Sequence, residues 1–214
     1  MGSSGEELEV KFLAPDLAQA AGRLQALGAE LAQPRQYEVN LRFDTASGDL
    51  VRQRQVLRLR QDNAARLTFK GPGREVDGIQ QRQELEFTVS DYAMAQRFLE
   101  ALGYQVVWMY EKYRQTYTLK EVLVTLDEMP FGNFIEIEGQ DGASIQAAAQ
   151  QLGLDWGKRI LVSYAALFEQ ARQVLGFSFR DLSFENFREL SVPAEVFASN
   201  TITRDGTSAK PLQI

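Results

Sequence analysis

The 214-residue sequence contains no cysteine and no histidine. These absences exclude disulfides, thiolate nucleophiles, histidine general bases and the usual zinc ligand sets. Any catalysis must then run on carboxylates, amines, hydroxyls or a hard cation. No apolar run approaches the roughly 18 residues of a bilayer-spanning helix, and no secretory leader precedes the first strand. The expectation is a cytoplasmic protein with no membrane partner. The net charge of −6 withholds the basic surplus of a general nucleic-acid binder, so no nucleic-acid partner is expected. A local basic site stays open. The opening MGSSG reads as an expression-vector remnant, so residues 1–5 are left out of the fold, and Glu6 breaks a myristoylation pattern.

What is present is alternation. In EELEVKF (Glu6 to Phe12), Glu7, Glu9 and Lys11 alternate with Leu8, Val10 and Phe12, which on a strand puts the charges on one face and the apolar side chains on the other. VLRLR repeats it with Arg58 and Arg60, LTFK with Lys70, ELEF with Glu84 and Glu86, and KYR with Lys112 and Arg114. VTLDE adds Thr125 and Asp127, and FIEIEG adds Glu136 and Glu138. Eight strands are expected, near 6–13, 37–44, 54–61, 65–71, 80–89, 106–119, 121–128 and 133–139, with SGD, GPG and FGN among the turns.

Helical patterns fall at 16–28, 91–103, 144–153 and 163–176. The first two open on a capping Asp and close on Gly. They are also related to each other. A shift of 75 positions carries Glu9 onto Glu84, Phe12 onto Phe87, Asp16 onto Asp91, and LQALG onto LEALG, which implies two duplicated strand–helix–strand halves. The helices' apolar stripes would cover the apolar strand faces, turning the charged faces away from them. In a closed sheet those charges line the interior; in an open sheet they face water as cross-strand ion pairs, each contributing about 0–1 kcal/mol.

Two chemistries share these faces. Glu7, Glu9, Glu84, Glu86, Asp127, Glu136 and Glu138 are hard oxygen donors, and a carboxylate cluster without His or Cys selects Mg²⁺ or Mn²⁺. Lys11, Arg58, Arg60, Lys70, Arg82, Lys112 and Arg114 are anion binders, with the guanidinium forks suited to phosphate oxygens. Together they read as a site for a polyphosphate bound through a metal.

The motif Glu7-Leu-Glu9-Val-Lys11 resembles the ExExK signature of the CYTH proteins, or triphosphate tunnel metalloenzymes, which include class IV adenylate cyclases, thiamine triphosphatases and inorganic triphosphatases. The resemblance continues through RFDT (42–45), LRLR (57–60), LTFKGPG (67–73), RQELEF (82–87), EKYR (111–114), LDEMPFGNFIEIEG (126–139) and SYAALF (163–168). It implies an α+β fold: an eight-stranded antiparallel barrel with a polar interior, helices outside, over residues 6–176, followed by an extension at 177–214 that packs on the barrel or is partly disordered. It implies Glu7, Glu9, Asp127, Glu136 and Glu138 as ligands of Mg²⁺ or Mn²⁺. Lys11, Arg58, Arg60, Lys70, Lys112 and Arg114 become the triphosphate binders, with Glu9, Lys11 and Glu138 nearest the chemistry. The implied partner is a small molecule carrying a triphosphate, and a homodimer is allowed for.

The expected activity is metal-dependent triphosphate hydrolysis. The alternatives are an adenylate cyclase and a non-catalytic polyphosphate-binding module. Three departures from the family pattern stand out: Arg42 where many relatives carry Tyr, Val162 where Lys often lies two positions before the last helix's Tyr, and no His of the kind that cyclases use. Lys158 or Arg159 is the expected substitute for that lysine.

Overall fold

The computed structural model describes residues 6–76 and 78–200, with the side chains of residues 6, 7 and 198–200 left aside. The C-terminal stretch TITRDGTSAKPLQI lies outside the described residues.

Nine antiparallel strands form one sheet: β1 (Glu6–Leu13), β2 (Glu30–Thr45), β3 (Val56–Gln61), β4 (Ala65–Lys70), β5 (Arg74–Val76), β6 (Ile79–Val89), β7 (Tyr104–Leu119), β8 (Val122–Met129) and β9 (Gly132–Gly139). Eight of them follow one another as β1-β9-β8-β7-β2-β3-β4-β6, and β6 pairs back onto β1, closing the sheet into a ring. The three-residue β5 prolongs the β4 arm of the β4–β6 hairpin past Gly71-Pro72-Gly73.

The duplication is visible in three dimensions. Helix α1 (Leu17–Ala26) lies between β1 and β2, as α3 (Tyr92–Ala101) lies between β6 and β7, and the two spans differ by 75 positions. Asp16 and Asp91 cap them alike, accepting from the backbone N–H of Gln19 and Met94. Both chains then turn at a glycine of positive φ, Gly28 at 76° and Gly103 at 92°, a conformation that a Cβ would disfavour. The two halves meet twice, β1 with β6 and β2 with β7.

Alternation assigns the two faces. Outward residues of β1, β8 and β9 (Val10, Phe12, Val124, Leu126, Ile135, Ile137) are buried under α1 and α4 (Gly142–Gln151). On the opposite side α3 covers Phe43 and Leu59, with Leu99 at the contact. A one-turn helix, α2 (Asp49–Arg52), follows β2, its first amides held by Asp44.

The last helix, α5 (Tyr164–Leu175), departs from the expected arrangement of all helices outside. Its apolar face (Tyr164, Leu167, Phe168, Ala171) packs with Trp108, Tyr110, Met129 and Phe134. Phe134 shares a strand face with Glu136, and Tyr110 with Lys112, so these are inward residues and α5 closes one end of the ring. Residues 177–197 fold over α5 and bring Phe177, Phe179, Leu182, Phe187, Val196 and Phe197 into the same cluster. They are also stitched to β7, with Leu182 N–H donating to the Met109 carbonyl, the Leu182 carbonyl accepting from Glu111 N–H, and Asp181 accepting from Met109 N–H at 3.0 Å.

Candidate functional site

The inward faces enclose a cavity of about 300 Å³. Its lining carries eight basic side chains (Lys11, Arg42, Arg58, Arg60, Lys70, Arg82, Lys112, Arg114) and six carboxylates (Glu9, Glu38, Glu84, Glu86, Glu136, Glu138). The sequence-derived basic residues therefore all converge. Of the carboxylates expected to bind metal, Glu9, Glu136 and Glu138 line the cavity. Glu7 has its backbone in β1 opposite Arg82, and its side chain lies outside the described residues.

Charge is not mixed evenly around the ring. On β1 and β9, Lys11 Nζ sits between Glu9 at 2.8 Å and Glu136 at 3.0 Å. Burial opposes the Lys11 charge, but Glu136 and Glu9 outweigh it and hold the ammonium above its ordinary range. Burial likewise opposes the Glu136 anion, and Lys11 and Arg114 hold its carboxyl well below the usual values. Glu138 behaves oppositely: burial, with Glu136 and Glu9 beside it, pushes its carboxyl up, and Arg114 only partly offsets them.

Asp127 is not among the residues lining the cavity. It is fully buried and accepts from Lys112 Nζ at 3.0 Å, from Arg114 through two bonds of 2.6 Å, and from the Tyr164 hydroxyl at 2.9 Å. It fixes the two β7 cations in place, and Arg114 reaches on to Glu136. Tyr164, from the start of α5, lies under Lys11 and Lys112, whose ammonium groups are 5.5 and 5.7 Å from its ring centre.

Across the cavity, Arg58 donates to Thr68 at 3.2 Å and Glu86 at 3.4 Å, Arg60 to Glu86 at 3.0 Å, and Lys70 pairs with Glu84 at 2.5 Å. Glu84 and Glu86 thus serve as partners that aim the basic residues. Lys158 and Arg159 do not reach the cavity, and Arg159 instead donates to the carbonyls of Gly78 and Trp156.

The sequence reading missed Glu38, Asn40, Trp108 and Tyr110. Glu38 lies 3.7 Å from Lys112; burial opposes its charge, but Lys112 and Arg114 pull its carboxyl down to about 2. Burial raises the Tyr110 hydroxyl, yet Arg58 and Lys112 leave it below its ordinary range. The signal was available, since Glu38, Asn40 and Arg42 alternate with Val39, Leu41 and Phe43 as regularly as in any other strand.

The profile of the CYTH domain matches residues 5–163. No curated protein matches the sequence closely enough to count as a relative. Among solved structures, a proposed adenylate cyclase from Vibrio parahaemolyticus is similar at 22% identity and a TM-score of 0.70, over 78% of this chain and 99% of that one. A Pyrococcus horikoshii protein reaches 25% identity and 0.63 over 75% of this chain and 98% of its own. A proposed adenylyl cyclase from Hippeastrum, with a dominant triphosphatase activity, matches at 18% identity and 0.57, over 79% and 95%.

Proposed function

Because the chain belongs to the CYTH domain family, we propose that it is an enzyme that hydrolyses a triphosphate substrate inside its ring. The observation that carries this reading is the convergence of eight cations on a cavity whose far wall is acidic. A linear triphosphate brings several negative charges in a row, and cations set on several adjacent strands can meet each phosphate in turn.

The acidic wall fits a hard divalent cation. All its donors are carboxylate oxygens, and the Glu138 anion is disfavoured where it stands by burial and then by the Glu136 and Glu9 charges, a burden that a cation would reverse. Among the described residues no three carboxylates already sit as close together as a bound ion requires. Glu9, Glu136 and Glu138 are the residues that would close on it, with Glu7 as the sequence-derived fourth. When bound, Mg²⁺ or Mn²⁺ would act as a Lewis acid on the terminal phosphoryl group.

The remaining work falls to the chain's own groups. Arg58, Arg60 and Lys70, aimed by Glu84 and Glu86, hold the phosphate chain against β3 and β4. Lys112 and Arg114, fixed by Asp127, neutralise charge that builds on the phosphoryl oxygens as the bond breaks. Lys11 can transfer its contact from Glu9 and Glu136 to the substrate once those carboxylates have a second cation to face. The attacking water gives its proton to a carboxylate of the acidic wall, as no histidine exists to take it.

Incubation with tripolyphosphate, thiamine triphosphate and ATP in Mg²⁺ or Mn²⁺, followed by product identification, tests the reading. Orthophosphate release is the expected result. Cyclic AMP with pyrophosphate would replace hydrolysis by cyclisation, and tight binding without any product would reduce the ring to a binding module.

A further inference from the structure

Among the described residues, several buried polar groups without a hydrogen-bond partner lie on one stretch of the cavity wall, on β2, β3 and β7. Trp108 Nε1 and Arg58 Nε are buried without a hydrogen-bond partner, and behind them the fully buried Asn40 has neither atom of its amide hydrogen-bonded. Arg42 forms no hydrogen bond or ion pair among the described residues; the Trp108 ring lies 5.8 Å from its guanidinium. Strand register puts these groups side by side. Arg42 is directly opposite Arg58 on β3 and Trp108 on β7, and Asn40 is opposite Arg60 and Tyr110. Two guanidinium groups facing each other across neighbouring strands repel, and burial together with Arg82 and Arg58 disfavours the Arg42 charge. Trp108 Nε1 and Arg58 Nε are donors, and Glu38 Oε2, the acceptor without a hydrogen bond on the same strand face, lies 3.7 Å from the Lys112 ammonium.

We propose that Arg42, Arg58 and Trp108, backed by Asn40 behind the lining, form a subsite for a terminal, unesterified phosphate, holding the free end of the chain beside the Trp108–Tyr110 stack. This rests on reading the cavity as a triphosphate site. Trp108 packs on Phe168 of α5 at 5.8 Å between ring centres, so the subsite lies toward the end of the ring that α5 closes, where a chain terminus is expected. The dianionic end would separate the two cations, accept from the indole, and satisfy donors that the fold leaves without a hydrogen bond.

The test is equilibrium binding with turnover suppressed by chelator. The probes are tripolyphosphate, ATP and trimetaphosphate, a cyclic triphosphate with no terminal phosphate. Arg42→Gln is expected to weaken tripolyphosphate about tenfold while leaving the weaker trimetaphosphate affinity unchanged. Trp108→Phe, which keeps a ring and removes the donor, should weaken tripolyphosphate severalfold. The inorganic chain and the nucleotide are told apart by which binds the wild type more tightly, and Arg42→Gln should weaken both. Ligand-free Arg42→Gln should melt at or above the wild-type midpoint, since it relieves repulsion; a purely structural Arg42 would lower it. Unchanged tripolyphosphate binding in both variants overturns the subsite and leaves the triphosphatase reading standing. A wild type that binds none of the three removes both.

A second observation, independent of the cavity, comes from the duplication. Leu85 and Phe87 on β6 correspond to Val10 and Phe12 on β1, yet they are 44% and 59% exposed against 0% and 2%. The difference is α4, which covers the first pair, whereas among the described residues no helix covers the second. The neighbouring helix differs in the same sense. On α3, Met94, Phe98 and Leu102 form an exposed apolar stripe, whereas α1 has Gln19 and Arg23 at the first two matching positions, Arg23 donating to the Leu152 carbonyl just past α4. These five apolar side chains offer about 500 Å² per copy, so a two-fold contact would bury on the order of 1,000 Å², the lower limit for a specific interface. We infer that the occupant is a second copy of this chain, whose α3 lies over Leu85 and Phe87 where α4 lies over Val10 and Phe12. A patch that carries both the slot and an apolar helix is self-complementary, as a two-fold contact demands. Sedimentation velocity at tens of micromolar should show a dimer for the wild type and a monomer for Phe98→Asp and for Met94→Lys, each with the wild-type melting profile at low concentration. A monomeric wild type, or a dimer that survives both substitutions, overturns the inference.

Discussion

Asp127→Asn isolates the buried charge cluster behind the cavity. The side chain keeps its size, so the change is the loss of an anion that accepts four bonds from Lys112, Arg114 and Tyr164. Removing one partner of a buried ion pair typically costs about 3–5 kcal/mol, because the other charge is left without compensation. Two contacts soften the loss here: Arg114 keeps Glu136, and Lys112 keeps Glu38 at 3.7 Å. The lower end, about 3 kcal/mol, is therefore expected, which for a domain of this size lowers the melting midpoint by roughly 6–12 °C. Urea titration followed by circular dichroism measures it. Tyr164→Phe, which removes a single hydroxyl donor to a charged acceptor, should cost about half as much. Adding Lys112→Met to Asp127→Asn should recover part of the loss, giving a coupling of about 1–3 kcal/mol. A variant within about 1 kcal/mol of wild type, with no coupling to Lys112, would refute the idea that Asp127 is what fixes these cations.

Other expectations concern ligands and protons. Excess chelator should abolish turnover and Mg²⁺ or Mn²⁺ restore it, and full activity in chelator would contradict the role given to the acidic wall. Tripolyphosphate with Mg²⁺ at about 100 times its dissociation constant should stabilise by roughly 2.7 kcal/mol, a rise on the order of 5–10 °C, and sulfate at equal ionic strength should do far less. Equal shifts from the two anions would mean that the cations do not act together. Glu38 and Glu136 hold fewer protons folded than unfolded, since the fold depresses both. Their stabilisation is whole above about 4.5, the unfolded value, and is lost as pH falls toward the Glu38 value of about 2, so the acid transition should fall in that window. Glu138 has the opposite sign, its folded carboxyl being raised. Glu138→Gln should therefore stabilise the ligand-free protein near neutral pH while removing activity, and a loss of stability would show that the Glu138 anion is not strained.

The ring was legible in the sequence because strand parity is a local property: once Glu9 and Lys11 face one way, Val10 and Phe12 must face the other. The same rule, applied to Tyr37–Phe43, would have supplied Glu38 and Asn40. The early start of β2 at Glu30 was hidden by Gln33-Pro34-Arg35-Gln36, a polar run containing a residue that cannot donate to a ladder. The strand accommodates it with register shifts between Leu31 and Gln33 and between Gln33 and Gln36. The position of α5 was hidden for a different reason. Its stripe of Tyr164, Leu167 and Phe168 is what any amphipathic helix shows, and only the inward aromatic residues of β7 and β9, far away in sequence, determine that it closes the ring. Asp127 gave a related difficulty, since its alternation marks the inward face but says nothing of Lys112, Arg114 and Tyr164 enclosing it.

The cavity lining holds two more cations than carboxylates within a chain of net charge −6, so the rest of the chain carries a surplus of eight negative charges. A polyanion approaching from solution first meets repulsion and finds attraction only on entering the ring. Mobile ions screen the outer field over about 8 Å at physiological strength but act much less on charges shielded by protein. Added salt should therefore speed the arrival of a triphosphate even as it loosens the final grip, the reverse of ordinary electrostatic steering.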